Sequence, residues 1–195
     1  MRTRDIPLKP MRSVDPDEDK KIGRSLSCYT RNMEVVWHGE FNRLCQHFFP
    51  HRWYLSPYLG RPLNYQWYTF TDCAKVRFLC KFCDHGWTSM KGRVVFNFQF
   101  NESSLTGIVF FRLFGQKCQR CTPETFEHAM WYPEEVIKVI GNLFNRIGQE
   151  YYGFYRPCVR VDRRPGKPQA KHNKECCQAC AESKNMFPEW HDLHR

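Results

Sequence analysis

Apolar positions along the chain follow a helical period at two places and a strand period between them. From residue 32 onward Val36, Trp37, Phe41, Leu44, Cys45 and Phe48 recur at three- and four-residue intervals, as one face of a helix does. Asn32 is placed to cap the start of this helix and Pro50 to stop it. A second helix is predicted over 133–151. Pro133 suits its first turn, Glu134 and Glu135 suit the positive end of its dipole, and Val136, Ile140, Leu143 and Ile147 form an apolar stripe. In "RVVFNFQF" the period is two. Val94, Phe96, Phe98 and Phe100 point one way, and Val95, Asn97 and Gln99 the other, which predicts a half-buried antiparallel strand. "NESSLTG" is its turn, and "IVFFRLFG" (108–115) returns beside it, apolar enough to be buried on both faces. Residues 65–70 and 74–79 are two further short strands, and 53–64 reads as a turn-rich connection. The pattern predicts an α+β fold, an antiparallel β-meander between an N-terminal helix and a long C-terminal one.

The flanks lack such periods. Residues 1–28 are polar, charged and Pro-containing, and read as a disordered arm. The folded domain is expected over 29–181. It includes an irregular basic linker at 156–175, and a polar tail follows at 182–195.

Composition narrows the classes. Sixteen Phe, nine Tyr and six Trp in 195 residues are enough to build one core. The net charge of +10 implies an acidic partner surface: nucleic acid, anionic lipid or an acidic protein. The 156–175 segment carries seven Lys or Arg against two acids, and is read first as a solvated linker and second as a nucleic-acid patch. No signal peptide, lipidation motif or membrane span is visible, so a soluble, cytoplasmic chain is expected. In that reducing setting, eleven cysteines are not expected to form disulfides.

Six of those cysteines form three Cys-x-x-Cys pairs: Cys80/Cys83, Cys118/Cys121 and Cys177/Cys180. A Cys-x-x-Cys turn lets two thiolates converge on one ion, and Zn²⁺ takes four ligands in a tetrahedron. The first two pairs end strand candidates, the layout of a zinc ribbon. His172 stands five residues before Cys177, so "HNKECCQAC" offers three more ligands. Seven ligands are one short of two closed sites. Cys73, Cys158, Cys176 and, last, His85 are the candidates for an eighth, and the third pair could serve a second site or close one with Cys80/Cys83. One or two structural Zn²⁺ are therefore expected. A redox role asks for a Cys-x-x-Cys opening an amphipathic helix in a βαβ unit, and none of the three pairs is read that way. Without a nucleophile phased with a histidine, a His-Glu-x-x-His or a phosphate loop, no enzyme is expected.

"KVRFLCKFCDHGWTSMKGRVVFNFQF", "VFFRLFGQKCQRC", a long helix ending in "YYG" and the closing "HNKECCQAC" together resemble the receptor-transporting protein family, whose zinc domain is named for its three CxxC pairs. The resemblance covers roughly residues 33 to 181, and is most specific at Trp87, at "FGQKCQRC" and in the His172–Cys177–Cys180 spacing. It implies zinc binding and a chaperone or adaptor role in bringing G-protein-coupled chemoreceptors, olfactory or taste, to the plasma membrane. One branch of the family implies the alternative, a zinc-scaffolded RNA-binding protein in antiviral defence. Members usually continue into a C-terminal membrane anchor. None is visible in this sequence, so membrane association, at the endoplasmic reticulum or plasma membrane, is expected through a partner.

Overall fold

The computed structural model describes residues 31–58, 60, 66–121, 123–155 and 173–186. Its elements are α1 (Arg31–Cys45), a 3-10 turn (Gln46–Phe48), β1 (Arg52–Pro57), β2 (Tyr68–Leu79), β3 (Gly86–Asn101), β4 (Thr106–Leu113), β5 (Met130–Trp131), α2 (Pro133–Tyr151) and α3 (Gln178–Met186). The five strands form one sheet in the order β1-β4-β3-β2-β5. β2, β3 and β4 make the antiparallel meander, with Phe96 opposite Phe70 on one side and Phe111 on the other.

The sheet buries one face under the two long helices. Val94, Phe96 and Phe98 of β3 are fully buried, as are Val136, Ile140, Leu143 and Ile147 of α2. Trp37 of α1 stacks on Phe111 at 5.4 Å between ring centroids and meets Trp131 edge-on at the same distance. Phe41, Cys45 and Phe48 continue its stripe into the same core. Burying large apolar side chains contributes about 1.5–3 kcal/mol each, so this layer of Trp and Phe is the main source of stability away from the cysteines.

Several elements differ from expectation. The 53–64 stretch contains a strand: Trp53 and Leu55 point into the core, and β1 pairs with β4 in parallel, which makes the sheet mixed. A parallel partner is set by tertiary contacts, so local turn residues were a poor guide. The strands at 65–70 and 74–79 are one strand, β2, with a register shift between Ala74 and Val76. Gly92 lies at that shift, and any side chain there would collide with Val76. β4 is buried on one face only: Val109 and Phe111 are inside, while Ile108 on the other face is exposed. α1 begins at Arg31, so Asn32 lies inside the helix. Residues 182–186, expected to open a polar tail, continue α3. The 1–28 arm, the 156–172 part of the basic linker and residues 187–195 lie outside the described residues.

Candidate metal centre

The first two Cys-x-x-Cys pairs meet at one end of the sheet. β2 delivers Cys80 directly after Leu79, and the chain turns back through Cys83 into β3 at Gly86. The turn is closed by two backbone bonds, Cys80 N–H to His85 C=O at 3.0 Å and Asp84 N–H to Cys80 C=O at 3.1 Å. Asp84 takes a positive φ of 52° to complete it, a conformation Asp tolerates better than most residues. The second pair follows β4. Gln116 exchanges both backbone hydrogen bonds with Glu127, at 3.1 and 2.8 Å, and this short ladder aims Cys118 and Cys121 at the first turn.

The four sulfurs lie within 4.8 Å of one another. Cys80 Sγ is 3.4 Å from Cys121 Sγ, and Cys83 Sγ is 3.8 Å from Cys118 Sγ. A tetrahedron with ~2.3 Å zinc–sulfur bonds has edges of roughly 3.8 Å, so the donor set fits Zn²⁺ with little adjustment. Phe82 N–H points at Cys80 Sγ from 3.4 Å. Cys80 and Cys118 are fully buried, Cys83 is half-buried and Cys121 is exposed.

Electrostatics agree with a cation between them. Burial pushes the Cys118 thiol up, but the backbone amides of Cys121 and Arg120 and the Cys83 and Cys121 thiols outweigh it and bring it down to about 7. Desolvation and the thiols of Cys80, Cys83 and Cys118 push Cys121 far up. One thiolate forms readily in this cluster and the next is opposed, which is the arrangement a divalent ion relieves.

The third pair lies elsewhere. Cys177 precedes α3 and Cys180 is in its first turn, so this pair opens a helix of nine mostly polar residues, with no strand after it among the described residues to make a βαβ unit. Its segment is pinned to the strand leading to Cys118: Lys117 N–H donates to Cys176 C=O at 2.8 Å, and Gln178 N–H to Gly115 C=O at 3.1 Å. Arg112 and Glu182 add an ion pair at 2.6 Å. Burial and the neighbouring Cys177 push the Cys180 thiol up, while Arg93 and Lys174 pull it down. Because Cys118 and Cys121 complete the cluster with Cys80 and Cys83, no position is left there for the third pair. Among the described residues it gathers no third ligand within reach.

His172 and Cys158 fall outside the described residues. Of the other candidates for an eighth ligand, Cys73 is exposed on β2 opposite Arg93, and Cys176 is half-buried beside Lys117. His85 stacks on Trp87 with centroids 5.9 Å apart. Sequence reasoning missed Glu127, which is buried and accepts the Lys81 N–H at 3.0 Å. It lies in a segment with no period to mark it.

A four-thiol cluster gripped by two turns at the end of an antiparallel meander defines a zinc ribbon. The family of 3CxxC zinc ribbons, described as a zinc-binding domain, matches residues 73–183, and this chain belongs to it. Structural zinc is the metal of this domain. The chain is similar to receptor-transporting protein 4 of Mus musculus, 30% identical over 108 residues, 54% of this chain and 43% of the relative. It is 25% identical to receptor-transporting protein 4 of Homo sapiens over 121 residues, 58% of this chain and 47% of the relative. Receptor-transporting protein 3 of Mus musculus is 26% identical over 150 residues, 74% of this chain and 32% of the relative. The chain thus spans less than half the length of these curated relatives. No solved structure matches it.

Proposed function

We propose that this chain is a zinc-stabilised adaptor that binds receptors inside the cell and promotes their delivery to the plasma membrane, with G-protein-coupled chemoreceptors as clients. Cys80, Cys83, Cys118 and Cys121 hold one Zn²⁺. Cys177 and Cys180, with His172, contribute to a second. The observation that carries the reading is the closed four-thiol cluster inside a domain whose relatives are named receptor-transporting proteins. Four sulfurs leave zinc no open position for substrate or water, so the ion shapes a binding surface and catalyses nothing. Among the described residues no helix is long and apolar enough to cross a membrane.

Co-expression with a poorly trafficked chemoreceptor tests it. Surface receptor should rise and the chain should co-purify with the receptor, and Cys118→Ser should abolish both effects. Receptor levels at the surface that never change would sink the proposal.

RNA binding is the second reading, favoured by the tip of the first turn. Phe82 is 69% exposed there, between Lys81 and Cys83, with Arg77 and Arg120 also exposed at the same end. An exposed ring among cations can stack on an unpaired base. Phe82→Ala should then weaken RNA binding while leaving receptor delivery intact.

A further inference from the structure

Glu127 is an acidic residue, 3% exposed, on the segment between the second cysteine pair and β5. Its Oε1 accepts the N–H of Lys81 at 3.0 Å, and Lys81 lies inside the first Cys-x-x-Cys turn. Its own backbone exchanges both hydrogen bonds with Gln116, two residues before Cys118. A single residue therefore grips both turns, the first by its side chain and the second by its main chain. A buried carboxyl costs free energy unless it is hydrogen-bonded, and an acid has the wrong sign to balance four thiolates. Its use here must lie in the geometry of the bond it accepts.

We propose that Glu127 is the positioning residue of the metal centre. By fixing the Lys81 peptide it sets where Cys80 Sγ stands relative to Cys118 and Cys121, and so governs how long the ion is held. Partners outside the ligand set that orient the ligands commonly change metal affinity by about 10–100-fold. The proposal rests on the reading that the four cysteines are the zinc ligands.

The test uses the full chain loaded with Zn²⁺ or Co²⁺, with Glu127→Met, Glu127→Gln and Glu127→Asp compared. Met keeps the bulk and removes the acceptor. Gln keeps an acceptor oxygen at the same reach, and Asp withdraws it by one methylene. Zinc transfer to a chelating dye should be about 10–100-fold faster for Met. Asp should fall between Met and wild type, and Gln should stay near wild type. The Co²⁺–thiolate absorption should shift in the Met variant while its far-ultraviolet dichroism in excess zinc stays that of wild type. Glu135→Gln, at a second buried acid on α2, should leave zinc transfer unchanged. Wild-type transfer rates in both the Met and Asp variants would overturn the proposal, as would acceleration by Gln equal to that by Met. If Met fails to fold, the Asp and Gln rates decide in the same way. A wild-type protein with no Co²⁺–thiolate band would instead overturn the ligand reading itself.

Discussion

The indole N–H of Trp87 donates to the side-chain oxygen of Gln116 over 3.0 Å. Trp87 enters β3 just after the first cysteine turn, and Gln116 leads into the second, so this bond fastens one turn to the other outside the metal. Gln116 turns its amide nitrogen to Ser89 Oγ at 3.1 Å, which fixes its orientation. Phe78 stacks beneath Trp87 with centroids 5.2 Å apart and holds the ring in place.

Trp87→Phe keeps that stacking and removes the hydrogen bond. It should lower the stability of the zinc-loaded protein by about 1 kcal/mol in urea unfolding. Gln116→Ala loses two bonds and should cost more. A double-mutant cycle on the two should give a coupling of about 0.5–1.5 kcal/mol. A cycle that closes to zero would mean that the bond contributes nothing.

Chelation should loosen one end of the molecule and spare the other. The Trp37, Phe96 and Ile140 layer is complete without any cysteine of the cluster. Metal removal is therefore expected to expose the amides of Cys80, Asp84, Gln116 and Glu127 to hydrogen exchange, while the β3 and α2 amides stay protected. Equal loss of protection in the core would show that the whole fold depends on the metal.

Cys45 supplies a pH signature separate from the metal. Burial pushes its thiol up to about 12. A folded-state value above the unfolded one contributes stability that is whole below the ordinary thiol range near 9 and is lost as pH rises through about 12. Cys45→Ala should flatten the fall in stability over that alkaline window, relative to wild type. Zinc content of Cys45→Ser, by elemental analysis, should equal that of wild type.

Two glycines separate the metal end from the core. A Cβ at Gly115 would meet the Glu127 carbonyl oxygen, and one at Gly107 would meet the Trp53 ring. Gly115→Ala should force apart the ladder that aims Cys118 and speed zinc loss, with little change in the core. Gly107→Ala should cost about 1–3 kcal/mol of stability, with zinc transfer near wild type. Measuring both quantities on both variants checks the assignment, and the reverse pattern would refute it.

Local periodicity alone determined much of this protein. The stripe Val136, Ile140, Leu143 and Ile147 and the alternation Val94, Phe96 and Phe98 fall where the sequence puts them, because a buried face imposes its period on the residues that line it. The three cysteine pairs were legible for a similar reason, since two ligands in one tight turn need a fixed spacing. The zinc-ribbon layout of Cys80/Cys83 and Cys118/Cys121 was legible too, with Cys177/Cys180 left open as a rival partner, whereas the parallel seat of β1 beside β4 and the grip of Glu127 on Lys81 were not. Each joins residues far apart in the chain, and no short-range rule of spacing records such a contact. Only the folded sheet, which brings the ends of β2 and β4 together at one end, decided them.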